Sequence, residues 1–356
     1  MREFDRVVVT GGAGFIGSNF IRYLLGNPAF RGRVINVDAL TYAGNRENLA
    51  DVEAAHGGDR YTFVHADICD RDAVESVFAN HSPDAVVHYA AESHVDRSVV
   101  GPGAFVRTNI LGTYTLLDVA RRAWDGKADT LFHHVSTDEV FGSLGPTGSF
   151  TEQTRYDPRS PYSASKAGSD HLVMSYHHTY GVPVTLSNCS NNYGPYQFPE
   201  KLIPLMILNM LDGKPLPVYG DGRNIRDWLY VEDHSSAVWT IMTKGRVGET
   251  YNIGGRNEWE NIRLIHELCA AVARVSGRAA SDLEALITFV KDRPGHDRRY
   301  AIDCSKIERD LGWHPSVSFE QGLELTARWY LENPRWIENV RSGAYREWIT
   351  RNYENR

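Results

Sequence analysis

The sequence lacks four features that would place it in other classes of protein. Its four cysteines stand far apart without a C-x-x-C pair, so neither a disulfide framework nor a structural zinc site is expected. Its formal charge of −7 is opposite to that of a general nucleic-acid binder. Its longest apolar-rich run, 202–211, is too short to span a bilayer. The charged N-terminus is followed by valines rather than a signal-peptide core, which predicts a cytoplasmic location.

The 356 residues are 42% apolar and 23% charged, which is ordinary for a globular protein with one large α/β domain or two packed ones. Short β-branched runs alternate with helical patterns in the first half of the chain. The predicted strands are 6–10, 33–38, 61–65, 85–89, 131–136 and 183–188, and the predicted helices are 16–25, 71–80, 104–123 and 162–180. This alternation predicts a Rossmann-type, doubly wound parallel sheet of the α/β class.

The composition changes after about residue 190, where Gly, Pro and Tyr become frequent. We predict a first domain of residues 1–190, to which 222–255 return, and a smaller lobe of residues 191–356 made of short helices and turns. The lobe is expected to close over the carboxyl ends of the strands, where open α/β sheets bind ligands. Aromatic-rich residues 329–348 are interpreted as a C-terminal helical cap.

A glycine-rich turn follows the first predicted strand and opens a helix. Gly11, Gly14 and Gly17 give a G-x-x-G-x-x-G spacing, and Gly12 can replace the first of them to give G-x-G-x-x-G. Such a turn lets the backbone approach a pyrophosphate at the positive end of the helix. Asp38 ends the second strand, where a carboxylate can accept the ribose hydroxyls of NAD and would repel the 2′-phosphate of NADP. A plain glycine turn with a capping aspartate is the alternative.

Two further strand ends belong to the same predicted site. Asp67 and Ile68 close the third strand and could contact the adenine, or Asp67 could instead cap the next helix. The small residues within 89–93 end the fourth strand, so they allow the centre of the cofactor to lie against the backbone.

Tyr162 and Lys166 are four residues apart on one predicted helix, which Ser160 and Pro161 begin. A phenol beside an ammonium group and a positive nicotinamide ring is expected to have a lowered pKa. Tyr162 could then act as the base that accepts the proton of an alcohol during its oxidation. The alternative is a tyrosine that only packs against a lysine stem.

Asp138 and Glu139 follow the fifth predicted strand. A simple alcohol dehydrogenase does not need two adjacent carboxyl groups, so the pair suggests additional proton transfers. Consecutive residues on a strand face opposite sides, so both can act only if the chain leaves its pleat, which residues 140–142 allow. The alternative is a pair that caps a helix or solvates a loop.

Taken together, these motifs resemble the extended short-chain dehydrogenase/reductase family, and within it the nucleoside-diphosphate-sugar 4,6-dehydratases. The matching segments are 10–17, 38–45, 90–98, 136–142, the Tyr162/Lys166 pair, 188–195, 217–219, 222–228 and 292–296. The resemblance covers nearly the whole chain and is weakest between 270 and 286.

The resemblance implies a dehydration with NAD as a tightly bound cofactor that each cycle regenerates. It implies that Tyr162 takes the proton of the sugar C4 hydroxyl while Thr137 hydrogen-bonds the C4 oxygen. Glu139 would remove the C5 proton, and protonated Asp138 would protonate the leaving C6 hydroxyl. Lys166 completes the implied catalytic set.

The resemblance also implies binding residues, a partner and an assembly. The NAD contacts would be Gly11, Gly14, Phe15, Ile16, Gly17, Asp38, Ala39, Leu40, Thr41, Asp67, Ile68, Tyr89, Ala90, Ala91, Glu92, Ser93, Thr108, Tyr162, Lys166 and Asn192. The sugar-nucleotide contacts would be Ser93, Thr137, Asn191, Lys201, Leu202, Pro217, Val218, Tyr219, Arg226, Asn261, Asp292, Arg293, Pro294, Gly295 and His296. The partner would be a small sugar nucleotide, with no nucleic acid or membrane, and the protein would be a homodimer through helices 104–123 and 162–180.

Arg226 and Arg293 could clamp a diphosphate and Tyr219 could stack on a base. The alternatives are arginines in surface ion pairs and a tyrosine in the core. His94, His133 and His134 are interpreted as structural because no metal-ligand spacing surrounds them. Two rival functions stay open. A 4-epimerase acting on UDP-sugars would share the glycine turn and the Tyr–Lys pair but would not need the acid pair, and an NAD-binding regulator would need neither pair.

Overall fold

The computed structural model describes residues 1–292 and 297–341. The strands are β1 (Arg6–Thr10), β2 (Arg33–Asp38), β3 (Tyr61–His65), β4 (Ala85–His88), β5 (Leu131–Thr137), β6 (Val184–Cys189), β7 (Asn191–Tyr193), β8 (Leu216–Tyr219), β9 (Ile225–Tyr230), β10 (Thr250–Ile253), β11 (Glu258–Glu260) and β12 (Ile287–Val290). Seven of them form one sheet in the order β10-β6-β5-β4-β1-β2-β3, in which each neighbouring pair is parallel. This confirms the Rossmann-type fold class.

Helices pack on both faces of this sheet and in the second half of the chain. They are α1 (Phe15–Gly26), α2 (Ala50–His56), α3 (Arg71–His81), α4 (Val95–Val100), α5 (Pro102–Phe105), α6 (Thr113–Ala123), α7 (Pro161–Tyr180), α8 (Leu202–Asp212), α9 (Val231–Lys244), α10 (Asn261–Ser276), α11 (Ala280–Glu284), α12 (Ser305–Leu311), α13 (Phe319–Glu332) and α14 (Pro334–Val340). Within the described residues, no helix combines the length and the apolarity that crossing a membrane requires.

The central strands are apolar on both faces because each face contacts a helical layer. On β1, Val7 and Val9 pack in a core with Phe20 of α1, whereas Val8 packs in a second core with Leu117 of α6. All five side chains are almost completely buried. A strand buried on both faces reads as a continuous run of valines rather than an alternating pattern.

The second half of the chain builds a separate apolar core from α8, α10 and α13. Two small sheets, β11-β9-β7 and β12-β8, accompany it. Between these elements the chain returns to the main sheet, since β10 pairs with β6. The proposed division at residue 190 stays a prediction.

The predicted strands end within one residue of the observed ones, because turns and buried strands have distinct compositions. The predicted helix 104–123 is instead α5, a π-helical segment Val106–Gly112 and α6 in succession. The prediction of only short helices after residue 191 is wrong. Helices α9, α10 and α13 contain 14, 16 and 14 residues. The apolar faces of α10 and α13 build the separate core of the second half, whereas that of α9 packs in the core of the main sheet that contains Val7 and Val9. Of the predicted cap 329–348, residues 342–348 lie outside the described part.

Candidate active site

The carboxyl ends of the parallel strands line one cleft at the edge of the sheet, as the switch in strand order requires. Most of the predicted residues meet in this cleft. They are Gly11, Gly14, Phe15, Ile16, Gly17, Asp38, Ala39, Thr41, Asp67, Ile68, Tyr89, Ala90, Ala91, Glu92, Ser93, Thr108, Thr137, Asp138, Glu139, Tyr162, Lys166, Asn191, Asn192 and Lys201. The predicted contact Leu40 lies in a left-handed turn at φ 50° and does not line the cleft.

The glycine turn leaves no room for side chains. A Cβ on Gly11, which has φ +69°, would lie 2.6 Å from the backbone nitrogen of Ala90. A Cβ on Gly17 would lie 2.3 Å from the Gly11 carbonyl oxygen. Gly14 is the N-cap of α1 and supplies no side-chain cap. The N–H groups of the first turn therefore face the cleft without a side-chain acceptor, which suits a pyrophosphate.

Asp38 is held rigidly at the end of β2. Its Oδ2 accepts a hydrogen bond from the Ala13 amide at 2.9 Å, and its Oδ1 accepts one from the Leu40 amide at 2.8 Å. Burial raises the pKa of this carboxyl group, and the two amide hydrogen bonds oppose the rise. A carboxylate has lone pairs beyond these two bonds, so the group can still accept ribose hydroxyls.

The helix that follows β3 is capped by Asp70, whose side chain accepts a hydrogen bond from the Ala73 amide. Asp67 therefore does not cap it, and the capping alternative is wrong. Instead Asp67 lines the cleft, accepts a hydrogen bond from the Cys69 amide and pairs with Arg107 at 3.4 Å.

The two acidic neighbours sit in a 3-10 turn, Asp138–Phe141, which starts where β5 ends at Thr137. The chain thus leaves the strand pleat as the sequence predicts, and both carboxyl groups line the cleft. Thr137 Oγ1 accepts a hydrogen bond from the Glu139 amide at 3.2 Å and lies 3.4 Å from Asp138 Oδ1. Asp138 is only 2% exposed, and burial, followed by the charge of Glu139, raises its pKa well above the usual range. Asp138 therefore favours the protonated form.

Tyr162 and Lys166 project from the first turns of α7, which a reciprocal capping box between Ser160 and Ser163 begins. Lys166 Nζ donates to the Val135 carbonyl at 2.8 Å, which fixes the ammonium group beside β5. Burial, followed by the charge of Glu139, raises the pKa of Tyr162 well above its usual value. The predicted lowering of this pKa concerns the phenol beside both an ammonium group and a bound nicotinamide ring, so it stays a prediction; in the chain alone, desolvation of the phenolate dominates.

A buried polar layer lies behind this pair. Asp170 accepts hydrogen bonds from Ser136 Oγ at 2.7 Å and from the Tyr156 hydroxyl at 3.0 Å, and it lies 3.1 Å from His134 Nε2. Burial raises the pKa of Asp170 to about 6, and Lys166 opposes that rise. His133 is hydrogen-bonded to Thr185 and Ser187, so it serves, like His134, in the packing of the sheet.

The predicted sugar-nucleotide residues divide into two groups. Ser93, Thr137, Asn191 and Lys201 line the cleft. Leu202, the first residue of α8, directly follows Lys201 in the sequence. A second group lies in the lobe and does not line this cleft: Pro217, Val218, Tyr219, Arg226, Asn261 and Asp292. Arg293, Pro294, Gly295 and His296 lie outside the described residues.

Residues of the second group converge on the loop 220–224. A Cβ on Gly220 would lie 2.9 Å from Asp292 Oδ2, and the Asn261 amide donates to the Asn224 carbonyl at 3.0 Å. Arg226 stacks on the Tyr300 ring at 4.2 Å, and its charge lowers the raised pKa of Asp138. Arg226 therefore links this group in the lobe electrostatically to Asp138 of the acid pair.

Several residues that line the cleft were not predicted from the sequence. They are Val37, Ala43, Gly44, Ala66, Val135, Ser136, Cys189, Ser190, Gln197, Phe198 and Glu200. Those on strands could have been found as neighbours of predicted residues. Gln197, Phe198 and Glu200 lie on a segment without regular structure, and only its content of Pro and aromatic residues marks it in the sequence.

Comparisons with known proteins agree over nearly the whole chain. The family model described as GDP-mannose 4,6 dehydratase matches residues 8–326. The curated dTDP-glucose 4,6-dehydratase 1 of Escherichia coli K12 is 56% identical over an alignment 365 residues long, gaps included, which covers 99% of this chain and 99% of that protein.

Two solved structures are also similar. DesIV, a dTDP-glucose 4,6-dehydratase from Streptomyces venezuelae solved with NAD bound, has a TM-score of 0.86 and 48% identity. The match covers 94% of this chain and 99% of that one. A UDP-glucose 4-epimerase from Thermotoga maritima has a TM-score of 0.81 and 29% identity, with 92% and 99% covered.

Proposed function

The chain belongs to the GDP-mannose 4,6 dehydratase family, and we propose that it catalyses the NAD-dependent dehydration of dTDP-glucose to dTDP-4-keto-6-deoxyglucose. Membership confirms the resemblance to nucleoside-diphosphate-sugar 4,6-dehydratases. The observation that carries the proposal is the acid pair Asp138 and Glu139 in the same cleft as Tyr162 and Lys166. An oxidation without loss of water has no use for that pair.

The residues at the sheet edge fit NAD. The uncapped first turn of α1 suits the pyrophosphate, and Asp38 suits an unphosphorylated ribose. The chemistry that the cofactor supplies when bound is a hydride acceptor for C4, a positive ring charge, and later a hydride donor for C6.

The roles of the side chains follow from their surroundings. The positive charges of Lys166 and of the bound cofactor ring would stabilise the phenolate form of Tyr162, which then accepts the proton of the C4 hydroxyl. Thr137 hydrogen-bonds the C4 oxygen. Once C4 is a ketone the C5 proton is acidic, so Glu139 removes it, and a proton returns to C5 after water has left. Asp138, which favours the protonated form, gives its proton to the C6 hydroxyl, which leaves as water.

In the lobe, we assign the sugar nucleotide to the group around loop 220–224. Arg226 supplies a fixed guanidinium for the diphosphate, with its face stacked on Tyr300. Tyr219 supplies a ring for the base.

The decisive experiment offers dTDP-, UDP- and GDP-hexoses side by side and weighs the products. Loss of one water from dTDP-glucose, with deuterium moved from C4 to C6 of the same molecule, supports the proposal. A product of unchanged mass supports the epimerase, whose fold is shared at 29% identity. Binding of NAD without any turnover supports the regulator.

We further propose a homodimer through α4, the π-helical segment, α6 and α7. Six large apolar side chains are exposed on these elements: Val99, Val100, Val106, Leu111, Tyr114 and Tyr180. Light scattering of the purified protein tests this.

We also propose a cytoplasmic location, since Cys69, Cys189, Cys269 and Cys304 are all free thiols, as a reducing compartment favours. Cell fractionation tests it.

A further inference from the structure

Asp170 lies one helical turn after Lys166 on α7, and side chains at this spacing lie on the same side of a helix. Both residues are buried, with 2% of Asp170 and 5% of Lys166 exposed. Lys166 Nζ donates to the Val135 carbonyl at 2.8 Å. The hydroxyl of Ser136, the next residue on β5, donates to Asp170 Oδ2 at 2.7 Å. An ammonium group and a carboxyl group are thus held by neighbouring residues of one strand.

Other elements bring further polar and titratable groups to Asp170. His134 of β5 places Nε2 at 3.1 Å from Asp170 Oδ1, and the hydroxyl of Tyr156, which precedes α7, donates to Oδ2 at 3.0 Å. Asp170 also lines a second pocket, which among the described residues shares no lining residue with the cleft and contains further titratable side chains: Glu152, Arg155 and His171. Water in this pocket can exchange protons with Asp170 while the cleft is occupied.

Lys166 is the cation with the strongest influence on Asp170. Burial raises the pKa of Asp170 to about 6, and among the effects that oppose the rise the charge of Lys166 is the largest. The influence is mutual, since burial lowers the pKa of Lys166 and the charge of Asp170, followed by that of Cys189, opposes the fall. Burial also raises the pKa of Cys189 to about 12 and holds the pKa of His134 well below its usual value, so both side chains are uncharged at neutral pH. Asp170 is then the group that faces Lys166 with a negative charge.

The ionised form of Asp170 has a cost for the fold. Because its pKa is raised to about 6, the carboxylate is less favourable at neutral pH in the folded protein than in the unfolded chain. A neutral asparagine of the same shape would avoid this cost. A buried ammonium group without a counter-charge tends to lose its proton, and the charge of Lys166 is one of those that stabilise the phenolate form of Tyr162 in the proposed mechanism. The carboxylate is therefore better explained by electrostatics at Lys166 than by stability.

We propose that Asp170 is a positioning residue for the oxidation of C4, since its carboxylate keeps the ammonium group of Lys166 charged beside Tyr162. The inference rests on the proposed function, in which the phenolate of Tyr162 accepts the proton of the C4 hydroxyl. Asp170 does not line the cleft, so it acts on the sugar through Lys166 and Tyr162. Without the negative charge of Asp170, Lys166 loses its proton to the solvent at lower pH. The oxidation then slows first on the alkaline side of its pH range.

The first measurement follows the charge of Lys166 directly. The wild type and Asp170→Asn are labelled with carbon-13 at Cε of lysine, saturated with NAD and titrated by NMR between pH 6 and pH 10. The Lys166 signal is assigned by its loss in Lys166→Arg. We expect the titration of Lys166 in Asp170→Asn to shift to lower pH, because an opposite charge one helical turn away favours the protonated amine.

The second measurement is the single-turnover rate of NADH formation from dTDP-glucose between pH 6 and pH 9. Asp170→Asn should match the wild type at pH 6, where Lys166 is charged in both proteins, and should be about tenfold slower at pH 9. A purely structural defect would instead lower the rate by a similar factor at every pH. Asp212→Asn is the matched control, because Asp212 pairs with Lys214 at 3.1 Å and lines neither the cleft nor the second pocket. Its profile should equal that of the wild type.

The outcomes separate this inference from the proposed function. If Lys166 titrates at the same pH in both proteins, or if Asp170→Asn is slower by one factor at every pH, Asp170 does not act through the charge of Lys166 and the inference is wrong. If the wild type turns over no sugar nucleotide, the proposed function is wrong, and the NMR titration still decides whether Asp170 sets the charge of Lys166. If Asp170→Asn does not fold, Asp170→Ser replaces it, since the second pocket lets water fill the vacated space. An unchanged titration of Lys166 in that variant overturns the inference.

Discussion

The edge of the main sheet and the smaller lobe differ in how their functional residues are brought together. At the sheet edge, residues from six strand ends meet in one cleft, since parallel strands place their carboxyl ends side by side. In the lobe, the predicted residues come from β8, β9, α10 and the segment after β12, and they do not line that cleft. The position of a site at the ends of parallel strands can be predicted from the order of the strands along the chain. The position of a site made by packing of short elements cannot.

The difference also concerns chemistry. The sheet edge holds the groups that can move protons, Asp138, Glu139 and Tyr162, and the lobe contributes positive charge through Arg226. Substitutions at the sheet edge should therefore change the rate of a chemical step. Substitutions in the lobe should change substrate affinity.

The largest effect is expected for Tyr162→Phe. Without the phenol there is no acceptor for the C4 hydroxyl proton, so the first hydride transfer should slow by about 10⁴-fold, the upper end for general base catalysis. Single-turnover absorbance of NADH measures this step. The control is NAD content, which should stay at the wild-type level. Formation of NADH at the wild-type rate would contradict the role of Tyr162.

Asp138→Asn should show that the sheet edge carries a second chemical function beside oxidation. The amide cannot donate a carboxylic proton, so loss of water should slow by about 10²- to 10³-fold while C4 oxidation changes less. Single-turnover absorbance reports oxidation, and mass spectrometry of quenched samples reports dehydration. Thr137, which contacts Asp138 and the Glu139 amide, is not substituted in this variant, so its proposed hydrogen bond to the C4 oxygen is retained. Equal slowing of both steps would assign Asp138 to oxidation instead.

Features of the site that adjacent residues determine could be predicted from the sequence, whereas features that depend on distant segments could not. The glycine turn, Asp38 and the departure of Asp138 and Glu139 from the strand pleat were readable, because each is a local consequence of adjacent residues. The burial of Tyr162, which raises its pKa in the chain alone, was not, since it depends on distant segments. Glu200 was missed for the same reason, because its partners Tyr42 and Arg97 are more than 100 residues away in the sequence.

Asp170→Asn tests the polar layer behind the sheet edge through the pH dependence of stability. Burial raises the pKa of Asp170 to about 6, above its ordinary value of 3.8, so the folded protein holds a proton that the unfolded chain has lost between these values. The contribution of Asp170 to stability is therefore fully present below pH 4 and is lost as the pH rises through about 6.

The asparagine cannot ionise, so the free energy of unfolding of Asp170→Asn relative to the wild type should increase between pH 4 and pH 6, by at most about 3 kcal/mol. Urea unfolding of both proteins across this range measures the difference. Subtracting the two curves removes the other titrating groups. A difference that does not change with pH, or that decreases as the pH rises, would show that Asp170 is ionised in the fold throughout.

Arg226→Lys gives the smallest expected effect and tests the lobe alone. Lysine keeps the positive charge but loses the planar fork, which now stacks on Tyr300 and donates to the Asp297 carbonyl at 2.9 Å. We expect the KM for dTDP-glucose to rise about tenfold, or about 1.4 kcal/mol, with retained NAD and a smaller change in kcat. Arg328→Lys, on the exposed face of α13, is the matched control and should leave the KM unchanged. If NAD is lost together with substrate affinity, Arg226 supports both regions and the division of labour between them is wrong. An unchanged KM would remove Arg226 from the diphosphate site and leave the lobe without its assigned charge.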